Sequence, residues 1–75
     1  MRGARQLTTI IEREDDGFVA LCPQLDIASE GETIEEARAN LIEALTLFFE
    51  EASEPEVSGR LRGEVFVTQV EVPVG

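Results

Sequence analysis

Any chemistry in this sequence would have to come from carboxylates, a few hydroxyls and one thiol. There is no His, Tyr or Trp, and all six basic residues are Arg. The commonest general base and metal ligand is therefore missing, and so is any Schiff-base or P-loop lysine. The thiol, Cys22, closes the apolar run Phe18-Val-Ala-Leu-Cys22. With no His or Lys to favour a thiolate, it reads as a buried structural residue rather than a nucleophile. Asp15 and Asp16 could help to hold a divalent cation, but the ligand spacing of a calcium loop is absent and an Asp-Asp-Gly turn needs no metal. Gly17 and Gly31 belong to no phosphate-cradling motif, and each is explained by a turn. Arg60 and Arg62 flank Leu61 in a basic spot, expected to pair with nearby Glu; an anionic ligand is the alternative. The expectation is a chain with no catalytic residue, cofactor or metal site.

The carboxylates are numerous, with sixteen Asp and Glu and a formal net charge of -10. A metal-dependent nuclease needs several of them converging on two metals. Here Glu12 and Glu14 share one face of a strand beside an exposed turn, and Glu43 and Glu50 lie on the solvated side of a helix. They read as dispersed over a surface. Such a surface repels nucleic-acid phosphates and anionic lipid, so direct binding to either is not expected. It would attract and steer a basic protein partner, although acidity also simply keeps a small protein soluble.

These residues must be positioned by few elements. With 75 residues there is room for one domain, 1–75, and one modest core, which makes oligomerisation a reasonable prior. Leu7–Glu14 is rich in β-branched residues and reads as a strand. Asp15-Asp16-Gly17 supplies a tight turn through the positive φ that Asp-Gly accepts. Phe18–Cys22, apolar on both faces, reads as a central strand ended by Pro23, and Leu25–Ser29 as a short third one. Thr33 and Glu36 form a capping box, with Glu35 and Glu36 favourable to the helix dipole. The spacing of Ile34, Ala37, Leu41, Leu45, Phe48 and Ala52 predicts a helix over 34–52. Ile42 and Phe49, one heptad apart, widen its apolar arc. Pro55 and Gly59 mark residues 53–59 as a polar connection. Glu64–Val72 reads as a last strand, with Phe66, Thr68, Val70 and Val72 on one face and Val65, Val67, Gln69 and Glu71 on the other. The order β-β-β-α-β implies an α+β fold with the helix on one face of a mostly antiparallel sheet, leaving the other face uncovered. Val65 and Val67 on that face, together with Ile42 and Phe49, would make an apolar patch that favours self-association as a symmetric dimer. No apolar run follows the charged start at Met1–Gln6 or approaches a membrane span, so a cytoplasmic location is expected.

The run from Phe18 to Ala37, with Pro23 and Leu25 and the approach Ser29-x-Gly31-Glu32-Thr33-x-Glu35-Glu36-Ala37, resembles the HicB antitoxin family. Asn40-Leu41 and Glu43-Ala44 continue the similarity, and Gly59–Val72 stands where the family has its last strand. The resemblance implies a partial RNase H-like fold without the catalytic carboxylates. It also implies the antitoxin role in a toxin–antitoxin pair, in which the partner is a small basic HicA-type ribonuclease whose catalytic surface is covered. The chain ends at Gly75 with no DNA-binding segment and has Asp26-Ile27 where many members have Pro-Gly, so a stand-alone short variant is expected. The residues expected to meet the partner are the hairpin acids Glu12, Glu14, Asp15 and Asp16 and the helix residues Ile42, Glu43, Phe49 and Glu50. The alternative reading is a self-associating structural or regulatory module with no toxin.

Overall fold

The computed structural model describes residues 5–61 and 63–75; the expectations made for Met1–Ala4 and Arg62 lie outside the described residues. Strands β1 (Ile10–Glu14), β2 (Gly17–Cys22) and β3 (Ile27–Gly31) form an antiparallel sheet in the order β1-β2-β3. A long helix, α1 (Ile34–Glu51), packs on one face of it, and a short helix, α2 (Glu54–Arg60), follows. Three antiparallel strands under a helix make the α+β layout that the hydrophobic pattern implies.

The two strand connections show what the local sequence had to solve. Glu14 pairs with Gly17, so Asp15 and Asp16 make the corner, with Asp15 at φ 53°. The positive φ therefore falls on Asp15 and not on Gly17. Gly17 is required for space instead, because a Cβ there would lie 2.7 Å from the Gly31 carbonyl oxygen. The third strand begins two residues later than expected. Leu25 belongs to the turn before it, where the Asp26 N–H donates to the Cys22 carbonyl at 2.8 Å and Asp26 takes φ 58°. That turn drops the Leu25 side chain into the core, where 1% of it stays exposed.

The start of α1 is held as the capping pattern requires. The Glu36 N–H donates to Thr33 Oγ1 at 3.0 Å. The Glu36 carboxylate accepts from the N–H of Glu32, one residue before the usual partner. The first turn then crosses directly over β3. A Cβ at Gly31 would lie 2.3 Å from the Ala37 backbone nitrogen, so only glycine permits this approach. Ala37, Leu41 and Leu45 of α1 close over Ala20 and Cys22 of β2, and with Leu25 they form the buried core. Ile34, at the start of the stripe, overhangs the sheet and stays 47% exposed.

Two expectations for the C-terminal part are corrected. Residues 53–59 are not a loop, because Ser53 caps α2, its Oγ accepting from the Glu56 N–H at 3.3 Å. Pro55 sits in the first turn, where its missing N–H has no helical partner to lose. Glu64–Val72 forms no strand: the stretch has no regular secondary structure, and no described residue pairs with it. Period-two alternation fits a strand, but backbone groups form a ladder only beside a neighbour. Val65 and Val67 accordingly do not line the second sheet face. The register places Ile10, Leu21 and Ala28 in one row there and Glu12, Val19 and Glu30 in the next. No described element covers that face.

Candidate functional site

The chemistry-bearing side chains are spread out. All sixteen carboxylates are exposed, and among the described residues no group of three or more His, Cys, Asp or Glu could hold a metal ion. Cys22 is buried, its Sγ 3.5 Å from Gln24 Oε1. Gln24 also ties residues before β1 to the β2–β3 turn, accepting from the Thr8 N–H at 3.1 Å and donating to Thr8 Oγ1 at 3.0 Å. The one thiol thus lies in the buried core, as its apolar setting in the sequence suggested.

Arg60 does not serve as a surface partner for Glu. Its Nη2 donates to the Leu25 carbonyl at 2.8 Å, and its guanidinium lies 5.3 Å from the Phe48 ring centre. With Leu61 packed against the core, these contacts fasten the end of α2 to the β2–β3 turn.

The residues expected to meet a partner divide into separate regions. Asp15 and Asp16 stand at the hairpin tip, and Glu12 and Glu14 lie on the open face of the sheet. Glu43 and Glu50 are exposed one heptad apart on α1. Ile42 and Phe49 instead face an open groove, bordered also by Glu50, that runs between α1 and the extended residues leading into β1. Leu7, Thr9 and Leu45 also line it, together with Ala52 and, from α2, Val57. Arg5 leans across it, 5.5 Å from the Phe49 ring centre, and Phe48 meets Phe49 edge-on at 5.3 Å. The acidic tip and this groove lie toward opposite ends of β1 and its N-terminal extension. The side of the groove at Leu7 and Thr9, which precede β1, has no signal in the sequence. No local spacing links Arg5 to Phe49. The arrangement offers contact surface and charge.

No protein-family model matches the chain, and no solved structure matches it. It is similar to the UPF0150 protein ssl0738 of Synechocystis sp., at 45% identity over 51 residues that cover 65% of this chain and 71% of that protein. With identity at that level across most of both sequences, the chain belongs to the UPF0150 family.

Proposed function

We propose that this chain is a HicB-like antitoxin module that neutralises a small basic ribonuclease of the HicA type by covering its active surface. The observation that carries the reading is the placement of the charge: every carboxylate is exposed and none gathers into a site. Such a surface suits a binding role, because complementary charge speeds encounter with a basic partner and fixes its orientation. The HicB-like run through Ser29–Ala37 supports the fold side of this reading, since its Gly31, Thr33 and Glu36 build the helix start. The occluding surface draws on the hairpin acids and on Glu43 and Glu50. The test is to recover the basic protein that co-purifies with this chain from its native organism and to follow RNA cleavage by that protein alone. Titrating in this chain should abolish cleavage near one equivalent. Undiminished cleavage at excess, or cleavage of RNA by this chain itself with magnesium or manganese, would overturn the proposal.

A further inference from the structure

The groove beside β1 and the C-terminal arm are each incomplete, and they are complementary. The arm leaves the body at Leu61, which is packed in place, and carries Phe66 82% exposed, Val70 80% and Val72 69%. The radius of gyration is 14.7 Å, against about 11 Å for a compact chain of this length. An extended arm with apolar residues on alternate positions lacks only a neighbouring strand. Among the described residues the sheet has two open edges, at β1 and β3. The β3 edge is partly occupied, because Asn40 Nδ2 donates to the Glu30 carbonyl at 2.8 Å. On the β1 side the groove borders residues 5–9, which lead into that edge strand, with Ile42, Leu45 and Phe49 on its helix side.

We infer that the arm of one copy adds as a strand to the β1 edge of a second copy, reciprocally, in a strand-exchanged dimer. Glu64–Val72 and Gln6–Glu14 are equal in length, so the arm can run along the whole edge. Its Phe66, Val70 and Val72 face would enter the groove under Ile42 and Phe49. Its Val65 and Val67 face would continue the open sheet face beside Ile10. The arm is assigned to a second copy because Arg60 and Leu61 fasten its root to the core while Phe66, Val70 and Val72 stay uncovered on their own chain. One symmetric exchange then satisfies both arms and both grooves. This inference is independent of the toxin reading, since the dimer forms with or without another partner.

The test uses the full chain in two measurements. In sedimentation at micromolar concentration, the wild type should have twice the mass of the 8.3 kDa chain. Adjacent amides of a strand point to opposite sides, so of Val67→Pro and Thr68→Pro one removes a donor from the ladder and should lose the dimer. The helical circular dichroism of both variants should be unchanged, because the arm lies outside α1 and the sheet. In refolded mixtures of differently isotope-labelled copies, contacts between Glu64–Val72 and Ile10–Glu14 should cross from one copy to the other. A monomeric wild type, a dimer that both proline variants keep, or arm contacts confined to one chain would each overturn the inference.

Discussion

In the helix–sheet body, Ala20, Cys22, Ala37 and Leu41 retain at most 1% of their exposure; in the C-terminal arm, Phe66 and Val70 retain 80% or more. Both regions are patterned for burial, the body at helical and strand periods and the arm at the strand period alone. The difference lies in where the complementary surface is. A helix satisfies its own backbone and needs only a face to rest on, and β1–β3 are joined by short turns that bring their partners alongside. No described strand lies beside the arm, so its backbone and its apolar face both wait on a surface elsewhere. Apolar patterning specifies what a segment will bury, while connectivity decides whether its own chain supplies the cover.

Substitutions should separate the two regions sharply. Leu41→Ala removes the largest side chain that α1 buries completely and should cost about 2–5 kcal/mol, enough to leave so small a domain largely unfolded by urea titration. Gly31→Ala forces a methyl group into the Ala37 backbone, so the helix must lift; an overpacking cost of about 1–3 kcal/mol is expected in the same titration. Thr33→Ala removes the acceptor for the Glu36 N–H and should lower stability by about 1 kcal/mol with the helix otherwise intact. Phe66→Ser should be the mildest change to the body, within about 0.5 kcal/mol at high dilution. Its effect belongs to the arm: the wild-type melting midpoint should rise with protein concentration, as mass action requires of a dimer, and that of Phe66→Ser should not. A body destabilised as much by Phe66→Ser as by Thr33→Ala would erase the distinction.

What could be read in the sequence follows the same division. The helix was legible to within a residue because Thr33, Glu36 and the three-and-four spacing act over one or two turns. The hairpin was legible because Asp15-Asp16-Gly17 is a local instruction, although the positive φ falls on Asp15. The third strand was placed early because Leu25 is apolar, whereas its burial comes from a turn built on Asp26. Pro55 and Gly59 read as breakers and hide helix α2, yet Ser53 and Glu56 repeat the spacing of Thr33 and Glu36. The alternation over 64–72 fits a strand but says nothing about the presence of a neighbour. Of the residues expected to meet a partner, the acids have an exposure that is readable from composition and period. The groove is not, because it joins Arg5 and Leu7 to Phe49 across most of the chain.

The central claim is that this chain works by presenting an acidic surface to a basic protein, and association kinetics test it most directly. Stopped-flow mixing of the chain with its recovered basic partner should show an association rate that falls markedly between 0.1 M and 1 M salt, as the Debye length shrinks from about 10 Å to about 3 Å. The dissociation rate should change much less, since it reflects packed contacts at the interface centre. Reversing charge at Glu43 and Glu50 should reproduce the effect of salt if α1 faces the partner, and reversal at Glu12, Glu14, Asp15 and Asp16 should do so if the hairpin does. An association rate indifferent to salt, or a recovered partner that is itself acidic, would contradict the account.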